Sequence, residues 1–315
     1  MRALVIKTFD GPEGLALEEV PEPAPKKGEL LVDVKAVGIN RADLLQTLGL
    51  YPPPAGHAPE RPGLEYMGVV AKAASGFKKG DRVMGLVPGG AFSEKLCVSP
   101  RHVLRVPKEV SDTDAAALVE AFTTAWDAVW LQAGAKKGQR LLIHAVGSGV
   151  GTAAVQLAKV LGLTSVGTSR TAAKLEKAAP DVPVLVGDPP AFADKTGPCD
   201  VCLDLVGGPY FAETVEAMAP RGTIMVVGVT GGPTAEVPLR AVLGKRLRVI
   251  GTTLRSRDDK ERAALTARFA RELVPLFKKR KLKAVVSDVR PMTEAVKAFE
   301  AMAANETYGK TVLTW

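Results

Sequence analysis

The sequence has few cysteines, few aromatic residues and no long apolar run. Only Cys97, Cys199 and Cys202 occur in 315 residues. An odd count this low excludes a disulfide framework and most multi-cysteine metal clusters. Aromatic residues make up 5% of the chain, too few for the stacking platforms of single-strand nucleic-acid binders. No stretch of about 18 uncharged apolar residues is present, so no membrane span is expected. The opening MRALVIKTFDGPEG is a short apolar run and a turn, not a signal peptide, and a cytoplasmic location is the expectation. Acidic residues are outnumbered, 34 against 42 Lys and Arg, for a net charge of +8. That excess favours anionic partners without choosing between a phosphate-bearing cofactor and nucleic acid. No internal repeat or low-complexity segment is seen.

What is present is core-forming residues: 46% of the chain is hydrophobic. At this length two domains are the prior. The first third predicts β structure, with short apolar runs at 3–7, 30–37, 67–71, 82–86 and 96–98 separated by Gly, Pro and charged turns. This is the pattern of a small barrel or sandwich. From about residue 113 the pattern changes. A helix is predicted over 112–133, a strand over 140–145, a helix over 151–161 and a strand over 164–168. Helix 171–179 and extended runs at 182–186, 199–205, 223–229 and 247–251 follow. Strands alternating with helices imply an α/β fold with a doubly wound parallel sheet. The tail predicts helices over 260–278 and 292–303 and strands over 284–289 and 310–315.

The most specific local signal is Ala145-Val146-Gly147-Ser148-Gly149-Val150-Gly151, with a predicted strand before it and a helix after it. Glycines there let backbone approach a pyrophosphate, and the helix N-terminus offers free N–H groups and a positive dipole end. A tight strand-to-helix turn with no ligand is the bland alternative, and the βαβ context weighs against it. An NAD site carries an acid about 20 residues further on, for the ribose hydroxyls. Here that region reads Ser169-Arg170-Thr171-Ala172-Ala173-Lys174 and contains no acid. Ser169, Arg170, Thr171 and Lys174 offer hydroxyls and two cations, which suit a 2′-phosphate and so NADP. Solvated charge at the start of a surface helix is the competing reading of Arg170 and Lys174. The spacing Cys199-x-x-Cys202 falls on a predicted strand, where positions three apart face opposite ways. A metal or redox pair is therefore disfavoured there.

Several blocks carry a resemblance: Val37-Gly38-Ile39-Asn40-Arg41-Ala42-Asp43-Leu44-Leu45-Gln46, Gly49-Leu50-Tyr51-Pro52-Pro53, Pro62-Gly63-Leu64-Glu65, Gly80-Asp81-Arg82-Val83, Ala121-Phe122-Thr123-Thr124-Ala125-Trp126, the glycine turn, and Gly251-Thr252-Thr253-Leu254-Arg255-Ser256-Arg257. In this order they resemble the medium-chain dehydrogenase/reductase superfamily. Within it the chain is most similar to the zinc-free quinone oxidoreductases, in the branch of the p53-inducible enzyme. The resemblance implies a Rossmann doubly wound sheet plus a β-rich GroES-like barrel domain. It implies residues 1–121 as the first part of a substrate and catalytic domain, 122–252 as the NADP-binding domain, and 253–315 as a return to the former.

Zinc-dependent members of the superfamily carry a Cys ligand where this chain has Asn40 and a His ligand where it has Leu64, beside Glu65. Neither Asn40 nor Leu64 suits zinc, so no metal is expected. Without a Lewis acid, the implied reaction is hydride transfer from NADPH to a quinone or an α,β-unsaturated carbonyl. By the resemblance Asn40 lies near the nicotinamide, Asp43 fixes that loop and Tyr51 lies in the substrate loop; these three are the catalytic candidates. Thr124, Val206, Gly228, Thr230, Leu254 and Ser256 join Asn40 around the nicotinamide and its ribose. Turn-capping by Asn40 and Asp43, and pocket shaping by Tyr51, are the bland alternatives. Bacterial relatives add a Tyr and a C-terminal Arg at the 2′-phosphate; here those stretches read Val186-Gly187-Asp188-Pro189 and Ala304-Asn305-Glu306-Thr307. NADP preference then rests on Arg170, Thr171 and Lys174. A homodimer joined through an edge strand near 247–251 is implied by analogy. Two alternatives stand: an enoyl-thioester reductase of the same superfamily, and an NADPH-regulated RNA-binding protein. The basic run Lys278-Lys279-Arg280-Lys281 supports the latter, but it ends a predicted helix, where cations complement the dipole. Nucleic acid is thus a disfavoured partner.

Overall fold

The computed structural model describes residues 1–315, and the chain divides into two compact units, Ala121–Thr253 and Met1–Glu120 with Leu254–Trp315. In the first, six strands form a wholly parallel sheet in the order Val182–Leu185, Thr164–Ser169, Arg140–Ile143, Cys199–Asp204, Met218–Val226, Arg248–Gly251. The central strands are buried on both faces, which is why they read as unbroken apolar runs: Leu141, Leu142, Ile143, Cys202 and Leu203 expose nothing. The edge strand Arg248–Gly251 is largely exposed. Chain order reverses around Arg140–Ile143, with Thr164–Ser169 on one side and Cys199–Asp204 on the other. In open α/β sheets that switch point, at the carboxyl ends of the strands, is where ligands bind.

The other unit is mainly antiparallel. A seven-stranded sheet has Leu30–Gly38 at its centre, paired with Glu65–Lys72, Lys95–Val98 and the C-terminal strand Lys310–Thr314. Its core holds Leu30, Val32, Tyr66, Phe92, Phe299 and Leu313, with Phe92 edge-on to Phe299 at 5.8 Å. The last strand of the chain therefore completes the sheet begun by the first third.

Several boundaries differ from expectation. The helix over 260–278 is two helices, Asp259–Glu272 and Val274–Lys278. Pro275 has no N–H to donate and sits in the first turn of the second helix. The helix over 112–133 is α-helical only for Asp112–Trp126 and continues as a π turn, Asp127–Gln132. Helices Arg41–Thr47, Tyr210–Ala217 and Leu239–Lys245 were not foreseen. Each has at most eight residues, too short for a helical period to stand out. The strand Leu15–Glu19, which pairs with Arg2–Ile6, was missed because LALEE carries little alternation.

Candidate functional site

The candidate residues divide between the two units. In the parallel-sheet unit, strand Arg140–Ile143 leads through residues 144–148 into helix Gly149–Leu161. Ser148 caps that helix, its Oγ accepting from the Gly151 N–H at 3.0 Å. A Cβ at Gly151 would lie 2.6 Å from the carbonyl oxygens of both Ala145 and Val146. Only glycine allows the first helical turn to seat this closely on the strand's end, which holds the N–H groups of a 13-residue helix at the switch point. A Cβ at Gly147 would lie 2.9 Å from Lys174 Cβ. The aliphatic stem of Lys174 therefore packs against the turn.

Ser169 is buried, and its Oγ accepts from the Thr171 N–H at 3.1 Å. Arg170 and Thr171 are exposed at the carboxyl end of strand Thr164–Ser169. Sequence reasoning missed Tyr210, whose phenol feels the charges of Arg170 and Asp188 and is raised chiefly by burial. It lies 40 positions away from Arg170 and carries no motif. Below the turn His144 is fully buried, with its ring nitrogens 2.8 Å from Thr168 Oγ1 and Thr214 Oγ1. Burial lowers it to about 4, so the ring is neutral and structural. The loops after the next two strands are stitched together. Gly231 N–H donates to Val206 O at 2.8 Å, and Thr230 Oγ1 donates to Leu205 O at 3.0 Å. A Cβ at Gly228 would meet Leu205 O at 2.8 Å. Thr124, near the end of helix Asp112–Trp126, is buried. Val206, Gly228 and Thr230 thus share the carboxyl edge of the sheet with the glycine turn. Cys199 and Cys202 are both buried free thiols with pKa raised by burial.

In the other unit Asn40 precedes helix Arg41–Thr47, and its N–H donates to Asp43 Oδ2 at 2.8 Å. Asp43 Oδ1 accepts from the Gly63 N–H at 3.1 Å. Asp43 therefore ties the Asn40 turn to the segment leading into Glu65. Burial pushes the Asp43 carboxyl up to about 7, against the pull of the Asn40 N–H, Lys310 and Arg255. The Asn40 side chain turns inward. Its Nδ2 donates to Glu65 Oε1 at 3.1 Å and to Gly38 O at 3.4 Å, and its Oδ1 accepts from Lys310 Nζ at 2.5 Å. Lys310 also donates to Ile39 O at 2.8 Å and pairs with Glu65 at 2.6 Å. Glu65 Oε2 accepts from the Glu120 N–H at 3.0 Å. Both amide hydrogens of Asn40 are thus engaged inside the protein, and its bonding is that of a turn-fixing residue.

Tyr51 lies on a proline-rich segment, and its carbonyl accepts from Arg255 Nη1 at 2.7 Å. Burial and the Glu120 charge raise the Tyr51 phenol, while Arg255 pulls it down. Leu254 is half-buried and Ser256 exposed. Arg255, between them, was not singled out from the sequence, although its guanidinium donates to three acceptors.

Zinc takes thiolate, imidazole or carboxylate donors. Asn40 has its amide committed, Leu64 has no donor atom, and Glu65 is neutralised by Lys310. No three His, Cys, Asp or Glu side chains come together anywhere in the chain. These residues do not fit zinc. A dinucleotide fits, because the Gly151 seat and the Ser148-capped helix leave N–H groups at the switch point for a pyrophosphate.

Residues 26–108 match the family described as alcohol dehydrogenase GroES-like domain, and residues 181–313 match zinc-binding dehydrogenase. The chain is 28% identical to the human synaptic vesicle membrane protein VAT-1 homolog-like, over 99% of this chain and 80% of that one. It is 32% identical to the mouse quinone oxidoreductase-like protein 2, over 75% of this chain and 71% of that one. The crystal structure of a Pseudomonas syringae quinone oxidoreductase superposes with a TM-score of 0.88 at 29% identity, covering 100% of this chain and 99% of that one. No helix here is long and apolar enough to cross a membrane. With the Rossmann sheet, the GroES-like sheet and these relatives taken together, the chain belongs to the medium-chain dehydrogenase/reductase superfamily of oxidoreductases, and the quinone oxidoreductases are among its homologues.

Proposed function

We propose that the protein transfers hydride from NADPH to quinones or to activated α,β-unsaturated carbonyls without a metal. The observation that carries this reading is the Lys310–Glu65–Asn40 cluster, in which Asn40, the residue that by the resemblance stands at a zinc-ligand position, has its amide committed to a buried ion pair. With no Lewis acid there, an alcohol has nothing to lower the barrier to losing its proton, whereas a quinone accepts hydride directly. The bound cofactor's reduced nicotinamide supplies that hydride. Gly147, Ser148, Gly149, Val150 and Gly151 would take the pyrophosphate. Ser169, Arg170, Thr171 and Lys174 would take the 2′-phosphate. Thr124, Val206, Gly228 and Thr230 would serve the nicotinamide and its ribose. Tyr51 is the candidate hydrogen-bond donor to the quinone oxygen as it gains negative charge, and the single proton that completes the quinol comes from water. Asp43 holds the Asn40 turn in place. A homodimer through the exposed edge strand Arg248–Gly251 belongs to the same reading, since Leu239, Leu243 and Val249 beside and on it are 72%, 79% and 48% exposed.

The test is steady-state turnover of 1,2-naphthoquinone with NADPH and with NADH, beside ethanol with NADP⁺. The expected order is NADPH over NADH by about tenfold or more in kcat/KM, with negligible ethanol oxidation. Faster turnover of ethanol than of any quinone would refute the reading.

A further inference from the structure

The segment from Tyr51 to Pro59 contains Pro52, Pro53, Pro54 and Pro59. Proline has no N–H, so this stretch has few backbone donors with which to tie itself down. Its own turn uses one of them, from His57 N–H to Pro54 O at 3.2 Å. Its two ends must otherwise be held by donors from elsewhere acting on its carbonyls, and they are. Arg255, 8% exposed, donates from Nη1 to Tyr51 O at 2.7 Å and from Nε to Pro88 O at 2.8 Å. It donates from Nη2 to Gln46 Oε1 at 2.7 Å. Gln46, 1% exposed, passes the contact on, its Nε2 donating to Pro59 O at 2.7 Å. One guanidinium thereby fixes the start of the segment directly and its end through Gln46. It also anchors both to the neighbouring loop at Pro88. The same group lies 5.1 Å from the centroid of the Tyr51 ring, within cation–π range. It grips the carbonyl and the ring face of Tyr51 and leaves the hydroxyl alone.

We infer that Arg255 is the positioning residue of the Tyr51 segment, setting the orientation of the Tyr51 ring and so the fit of a flat aromatic substrate against it. This rests on the proposed role of Tyr51 at the substrate. The fork is what the site uses. Three acceptors in three directions match the planar, multi-donor guanidinium, and an ammonium on a flexible stem cannot reach all three at once. Lysine therefore keeps the charge and loses the function. Arg255 acts through Tyr51 and does not itself supply a proton.

Full-length Arg255→Lys, Tyr51→Leu and the double variant test this by two independent readouts. Hydrogen exchange of peptides spanning residues 48–60 reports the clamp without reference to activity. In Arg255→Lys it should speed up by about tenfold or more, as expected for loss of charge-assisted bonds at a low-exposure site. Exchange across the parallel sheet should stay as it was. Kinetics with 1,2-naphthoquinone should show KM raised by about tenfold, kcat within about threefold, and an NADPH dissociation constant within about twofold. In the double variant the KM effects should not add, because both changes remove the same oriented ring. Unchanged exchange of the 48–60 peptides in Arg255→Lys would overturn the positioning role. So would fully additive KM effects. Faster exchange with an unchanged KM would uphold the clamp and overturn the placement of Tyr51 at the substrate.

Discussion

Replacing Lys310 by Met should destabilise the antiparallel unit severely, and replacing its partner as well should recover much of the loss. Glu65 is fully buried and Lys310 is 5% exposed, and their charged atoms are 2.6 Å apart. Methionine fills the space but leaves the Glu65 carboxylate with only the Asn40 amide and the Glu120 N–H as donors. Breaking a buried pair by removing one partner costs about 3–5 kcal/mol. For a unit of this size each kcal/mol moves the melting temperature by about 2–4 °C, so a fall of about 6–20 °C follows. The Glu65→Gln, Lys310→Met double variant buries no charge and should recover at least half of that. Calorimetry at pH 8, with the transitions of the two units resolved, measures all three proteins. A single variant that melts within about 2 °C of the parent at pH 8, or a double variant worse than the single one, would refute the reasoning.

Three further outcomes are expected. Lys174→Ala, which removes a lysine whose stem packs against Gly147, should raise the NADPH dissociation constant about tenfold while barely moving that of NADH; isothermal titration decides it, and equal losses for both cofactors would count against a 2′-phosphate contact. His144, lowered to about 4 by burial, stays neutral in the folded state while the unfolded chain takes up a proton below about 6.5. Stability should therefore fall by up to about 3 kcal/mol between pH 6.5 and 4 from this group, and denaturant titrations of His144→Gln should show a flatter acid limb. Leu243→Asp, at the exposed helix beside the edge strand, should turn a dimer into a monomer in light scattering, with the NADPH dissociation constant unchanged; a dimer that persists in this variant would move the interface elsewhere.

The fold class was legible in the sequence because its signals are local and physical. Parallel strands buried on both faces read as apolar runs, such as Leu141-Leu142-Ile143 and Val201-Cys202-Leu203, and the chain can hide them only under helices on both sides of a sheet. The glycine turn was legible for the same reason. A strand that must pass at once into a closely seated helix needs glycine at 151, whose Cβ would strike two carbonyls. The mismatch with zinc was legible too, since leucine and an asparagine amide are poor ligands wherever they fold. Tertiary structure alone decided how the polar residues are spent. The resemblance put Asn40 near the nicotinamide, but strand Lys310–Thr314 brings Lys310 back across some 270 positions and locks the Asn40 amide inward. Arg255 gave no sign of its work, because its three acceptors, Gln46, Tyr51 and Pro88, are more than 160 residues away along the chain. Hydrogen bonds and ion pairs depend on distances of a few ångströms between remote segments, and no periodicity or spacing encodes them until the hydrophobic core has closed.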